Sequence, residues 1–178
     1  MELQLIRDKL VDYENSIIKA YIECYNKRNS HYIEVDKIIS SMDFYMDEKY
    51  HFAFNDLMYY YYDNIVINEE NRDDDKMVDK EKELFNLIIE RILLGEEVIK
   101  AKIKIDSEKY TELIKNKDTD AIFLLLENKE VEKRILDRLR VKEIEGYTLP
   151  IRKKIVELYE KFIIPYTKKI QIVYCLFS

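Results

Sequence analysis

The sequence predicts an all-α fold, an elongated helical bundle, on three observations. Glycine and proline are nearly absent, two of each in 178 residues, so helices can run long without interruption. Apolar residues recur at a spacing of about 3.6 over segments too long to be strands. Charged residues make up 37% against 47% apolar, a balance that excludes a disordered or linker-rich chain and supplies solvated faces for amphipathic helices. The length suits one domain over residues 1–178, with a core large enough for independent stability.

The elements follow in order. Residues 3–26 read as one helix, with Leu3, Leu10, Val11, Ile18, Tyr21 and Tyr25 on one face. Residues 27–80 are less regular. They hold four consecutive tyrosines, Tyr59, Tyr60, Tyr61 and Tyr62, expected in a helix core or an oligomer contact, and an acidic run at 69–75, expected as a solvated loop. Residues 78–105 read as a long helix. Two shorter ones follow at 107–116 and 118–126, with Ser107 (Thr111 nearby) and Asp118 as their caps. A helix over 129–144 is expected to stop at Gly146. Thr148 can cap a final helix with Pro150 in its first turn, and Pro165 inside that helix should kink it. No repeat is evident.

Composition narrows the chemistry. A net charge of -6 argues against non-specific binding to nucleic acid or anionic membrane, and means that an anionic ligand would need a locally cationic pocket. The two cysteines, Cys24 and Cys175, form no CxxC pair, and His31 and His51 lack ligand spacing, so no metal is expected. No apolar run approaches the roughly 20 residues of a membrane span. The opening Met-Glu-Leu-Gln runs straight into helical periodicity rather than a signal or transit peptide, so the expected location is the cytoplasm.

The informative charges lie on apolar faces. At 100° per residue, Arg91 shares its face with Leu84, Leu87, Ile88, Leu94 and Val98. Lys102 lies eleven residues on, three turns plus about 20°, and so takes the same face roughly 16 Å along the axis. Glu90, Glu97 and Lys100 take the opposite side. Gly95 falls between the two cations, where a missing side chain would leave room for a ligand. Cations in an apolar stripe either snorkel, pair with a carboxylate, or bind something. Arg7 lies on the apolar face of the first helix with Glu14 beside it, as a mutual ion pair or as a further site cation. Glu132 shares a face with Ile135, Leu136 and Leu139. Asn128, one turn earlier, is either a helix N-cap or a donor. Thr167 and Gln171 lie one turn apart on the last helix. Three core-facing cations, a carboxylate and a few neutral polar groups suit a small dianion that carries a hydroxyl. No Ser/His/Asp or Cys/His set and no phosphate-cradling Gly-rich loop is present, so any catalysis would rest on electrostatics and positioning.

These residues carry a resemblance. Ile6-Arg7-Asp8-Lys9-Leu10-Val11 with Glu14, Ser16, Ile17 and Ile18 resembles the first helix of fungal and plant chorismate mutases. Arg91 through Gly95 to Ala101-Lys102 is similar to their long central helix. Tyr110 to Lys117, then Asn128, Val131-Glu132-Lys133, Ile135-Leu136 and Arg138-Leu139 continue the match, and Ile164-Pro165, Thr167-Lys168 and Tyr174 resemble their kinked final helix. The likeness covers about residues 5–26 and 80–176.

The resemblance implies an isomerase that turns chorismate into prephenate without a cofactor, in aromatic amino acid biosynthesis. Arg7 and Arg91 would clamp the two carboxylates, with Thr167 assisting. Lys102 would hold a carboxylate and the ether oxygen of the breaking bond. Glu132, helped by Asn128, would accept a hydrogen bond from the ring hydroxyl, and Gln171 would donate to the ether oxygen. Fungal members usually carry Glu where Gln171 stands, so activity here is expected not to fall between about pH 5 and 8, since an amide donates at any pH. The regulatory stretch of the family, paired Arg residues and a Gly-Ser segment ahead of the long helix, has no counterpart in residues 27–80, so no strong feedback by tyrosine or tryptophan is expected. A homodimer is the expected assembly. The rival reading is a non-catalytic helical scaffold derived from the enzyme. Against it, each pocket position keeps a residue able to perform its task.

Overall fold

The computed structural model describes residues 2–26, 46–64 and 75–177, with side chains omitted for residues 26, 62, 63 and 75–78. Every regular element among the described residues is helical. Helix α1 is Glu2–Asn26. A 3-10 turn, Glu48–Tyr50, opens α2, His51–Asn64. The long α3 is Asp75–Ile105, followed by α4, Ser107–Asn116, α5, Thr119–Leu126, and α6, Lys129–Val141. Helix α7, Leu149–Leu158, passes through a π-helical turn, Tyr159–Ile163, into α8, Ile164–Phe177. The acidic run expected as a loop lies largely outside the described residues.

Helix α3 is the axis, with α1 packed along one flank and α8 along another. Its apolar stripe, Leu84, Phe85, Ile88, Ile89 and Ile92, is fully buried and meets Ile17, Ile18 and Tyr21 of α1 and Ile155, Leu158 and Tyr159 of the C-terminal helices in one core. The tyrosine run of α2 divides by face. Tyr61 is buried, edge-on to Phe85 at 5.9 Å, Tyr60 lies 5.1 Å from Phe162, and Tyr59 is exposed. A second, smaller cluster of Ile99, Tyr110, Ile122, Leu126 and Cys175 closes the other end of α3.

Several boundaries differ from the sequence expectation. The N-cap of α4 is Asp106, not Ser107, whose carbonyl instead accepts the Thr111 hydroxyl at 2.6 Å within the helix. Lys117 ends α4 in the left-handed region, φ 51, a conformation usually left to glycine. Asp118 does cap α5, accepting from the Ala121 amide at 3.0 Å. Helix α6 stops at Val141, three residues early. Lys142 is extended, and Gly146 sits in a separate turn at φ 81 rather than at the helix end. Thr148 takes the N-cap position of α7 without a side-chain bond, with Pro150 in the first turn.

Pro165 has no N–H and its ring crowds the carbonyl four residues back. The chain accommodates this ahead of the proline. The Ile164 amide reaches back to the Tyr159 carbonyl, five residues away, and the turn widens to π geometry. The expected local disturbance is present, therefore, but as a π turn preceding Pro165.

Candidate active site

Two charge clusters flank α3. The first is closed. Glu14 of α1 is 0% exposed, and its carboxylate is held by the Arg138 guanidinium, with Nε donating at 2.9 Å and a second contact through Nη2. Lys142 Nζ adds a third contact at 3.3 Å. Two cations on one buried carboxylate tie α1 to the end of α6. Of the two readings of Arg7, the mutual ion pair with Glu14 does not form. Arg7 projects from α1 into a more exposed position and makes no ion pair among the described residues.

The second cluster is open. Arg91 of α3 is 2% exposed and has no carboxylate partner among the described residues. Its Nη1 donates to the Thr167 hydroxyl at 3.3 Å, its Nε has no hydrogen-bond partner among the described residues, and its guanidinium lies 5.9 Å from the Tyr159 ring centre. Burial pulls its pKa below the ordinary arginine value, against an opposing pull from Tyr159 and Glu14. Arginine remains charged regardless, so a buried cation is left seeking an anion.

Three turns along, Lys102 Nζ donates to Gln171 Oε1 at 3.4 Å, a long bond to a neutral acceptor. Burial lowers the Lys102 pKa first, and the positive charges of Arg7 and Lys168 lower it further. Lys168 stands beside Thr167 on α8, and Arg7 on an exposed position of α1. On α8, Gln171 Nε2 donates to the Thr167 carbonyl at 3.2 Å, and the Thr167 hydroxyl donates to the Ile163 carbonyl at 2.6 Å. Glu132, in the first turn of α6, pairs with Lys168 Nζ at 2.6 Å. Asn128 is the N-cap of α6, its Oδ1 accepting from the Val131 amide at 3.1 Å, so the capping role is realised.

Arg91, Lys102, Thr167 and Gln171 thus meet across the α3–α8 seam, and Lys168 links Glu132 to it. Among the described residues, Arg91, Lys102 and Lys168 gather at this seam, and Glu132 is paired with Lys168. Lys168 was matched as part of the final helix but given no role from the sequence, although it adjoins Thr167 and lies three residues before Gln171. The reading of Gly95 needs correction as well. A Cβ there would lie 2.6 Å from the Thr167 carbonyl oxygen and 3.3 Å from Ile170 Cβ. The glycine therefore admits the α8 backbone, not a ligand. A separate groove of about 660 Å³, lined by Leu5, Ile6, Ile103 and Tyr174, uses the opposite face of α3. The lysines on its rim are paired, Lys9 with Glu97, Lys100 with Glu96 and Lys104 with Glu2, so it lacks the open positive charge of the seam.

No family model matches the chain. In sequence it is similar to a chorismate mutase of Trichoderma parareesei, 38% identical over 96 residues that cover 47% of this chain and 36% of that protein. The match spans between 36% and 46% of the length of the curated fungal relatives. In fold it is similar to a chorismate mutase of Candida albicans solved with L-Trp, TM-score 0.74 at 22% identity, covering 96% of this chain and 89% of that one. The chloroplast chorismate mutase of Zea mays also gives 0.74, at 20% identity, with 98% and 95% covered. No helix among the described residues is long and apolar enough to cross a membrane. In sequence over about half of its length, and in fold over nearly all of it, this chain is similar to eukaryotic chorismate mutases.

Proposed function

We propose that the chain is a chorismate mutase, catalysing the rearrangement of chorismate to prephenate in phenylalanine and tyrosine biosynthesis. The observation that carries this reading is the buried Arg91, without a carboxylate partner among the described residues, three turns from a Lys102 that is likewise unpaired and beside Gln171. A dianion completes such a site.

The reaction is unimolecular. The ether C–O bond breaks as a C–C bond forms, so no nucleophile, base or cofactor is required. Arg91 and Arg7 take the carboxylates, with the Thr167 hydroxyl beside Arg91. This selects the compact reactive conformer of a flexible substrate. Negative charge grows on the ether oxygen in the transition state. Lys102 meets it, and Gln171 turns its amide from the Thr167 carbonyl to donate to it. Glu132 accepts the ring hydroxyl, with Asn128 assisting. The protein acts in the cytoplasm as a homodimer and without strong feedback by tyrosine or tryptophan, because the paired arginines and Gly-Ser segment that resemblance links to regulation are absent from residues 27–80.

The test follows chorismate loss by ultraviolet absorbance at several pH values. Wild-type protein converts chorismate to prephenate with no fall in rate from about pH 5 to 8. Arg91→Ala lowers kcat/KM by about 10³-fold or more, on the scale of one or more preorganised charge-stabilising groups. Gln171→Glu loses rate mainly toward neutral pH, where a carboxylate no longer donates. Folded wild-type protein with no conversion above the uncatalysed rate would refute the enzyme and favour the scaffold.

A further inference from the structure

One ion pair in the pocket is left over by the proposed reaction. Lys168 Nζ lies 2.6 Å from Glu132 Oε1, and the same ammonium sits 5.2 Å from the centre of the Phe123 ring. Helices α5, α6 and α8 therefore converge on one cation. The Lys168 and Glu132 side chains are 13% and 28% exposed, so the pair is shielded from water and stronger than a freely solvated one. Arg91 and Lys102 differ from Lys168, since neither has a carboxylate partner among the described residues. A ligand carboxylate would have to break an ion pair to engage Lys168. It meets no such obstacle at Arg91 or Lys102.

The pair also limits what Glu132 can do. Glu132 stands in the first turn of α6, where its side chain has several rotamers to choose from. With Oε1 held by the ammonium, Oε2 is the freer oxygen to accept a ligand hydroxyl. The lysine holding it belongs to the helix that presents Thr167 and Gln171, so hydroxyl acceptor and ether-oxygen donor share one support.

We propose that Lys168 is a positioning residue: it fixes Glu132 so that one oxygen accepts the ring hydroxyl of the substrate, and thereby sets the preference of the site for a hydroxyl-bearing ring. This rests on the chorismate mutase reading and narrows it to the recognition of one substituent. Lys168 does not touch the substrate. Its effect passes through Glu132.

The experiment compares kcat/KM for chorismate with that for an analogue lacking the ring hydroxyl. The proteins are wild type, Lys168→Gln, Lys168→Arg, Glu132→Gln and the Lys168→Gln/Glu132→Gln double variant, with circular dichroism confirming that each is folded. Wild type prefers chorismate. Lys168→Gln loses about tenfold or more on chorismate and much less on the analogue, and Lys168→Arg recovers most of the loss. In the Glu132→Gln background the same lysine substitution costs little further, the non-additivity expected of residues that act as a unit. An equal loss on both substrates, or a full additional loss in the double variant, would overturn the proposal by giving Lys168 its own substrate contact or a purely structural role. Wild-type protein that converts neither compound would overturn the functional reading itself, and this inference with it.

Discussion

The knot around Glu14 and the seam from Arg91 to Lys102 both remove charge from water, on opposite principles. In the knot, two cations close on one fully buried carboxylate, and the interaction holds α1 against α6. In the seam, Arg91 and Lys102 lie beside neutral acceptors, a hydroxyl and an amide, and among the described residues neither has a carboxylate partner of its own. Charge that serves architecture is satisfied internally. Charge that serves a ligand is held unsatisfied by the surrounding packing, at a cost in stability. The carboxylate of Glu14 is near enough for Arg91 to feel it, yet its oxygens are committed to Arg138 and Lys142.

Substitutions can break this contrast. Arg138→Ala leaves Glu14 buried with Lys142 alone and should destabilise the fold by about 3 kcal/mol, measured by urea denaturation. Arg91→Met removes a buried cation that lacks a counter-charge. It should leave stability unchanged or raised while abolishing activity. Equal destabilisation by the two would erase the distinction between knot and seam. Gly95→Ala comes next, at about 2 kcal/mol, because the added methyl meets the Thr167 backbone carbonyl rather than a flexible side chain. It should also weaken chorismate turnover by moving α8 off α3.

The smallest effect is in the alkaline pH profile. In the proposed reaction Lys102 acts while protonated, so its contribution is present below its pKa and lost above it. Burial and the neighbouring Arg7 and Lys168 put that value below the ordinary 10.5. The alkaline fall of kcat/KM, which reports the free protein, should therefore come earlier than for a solvated lysine. Lys168→Gln removes one repelling charge and should move the fall upward. An unmoved profile would mean that Lys168 is not felt at Lys102.

The sequence revealed which faces of helices were unusual more readily than what those faces met. Arg91 and Lys102 were legible because two cations recur on one apolar stripe of α3, and Thr167 and Gln171 because they stand one turn apart. The partner of Glu14 was not legible, since Arg138 lies 124 residues away and only packing brings it there. Helix α6 was read three residues too long for a related reason. Lys142 leaves helical geometry and its side chain reaches Glu14, a tertiary constraint invisible to local periodicity. Gly95 was assigned to a ligand because its face was correct. That α8 comes close enough to fill the space is a property of two helices together. Lys168 was matched as part of the final helix but given no role, because an exposed or a paired lysine looks the same in sequence, and its partner lies on another helix.

The π turn at Tyr159–Ile163 also has a consequence for phase. A π turn holds one more residue than the α turn it replaces, so everything beyond it is rotated by about 100° relative to a continuous α-helix. Leu158, Phe162 and Ile163 face the main core, and the rotation is already built in when the chain reaches Thr167 and Gln171. The C-terminal segment therefore works as a vernier: its residue count between Leu158 and Ile164, more than the identity of any side chain there, aims the last helix at α3. Deleting a single residue from that stretch would let the turn close to α geometry with the phase of Thr167 and Gln171 kept, whereas the present residue count in plain α geometry would turn both polar groups away from the cations they now face.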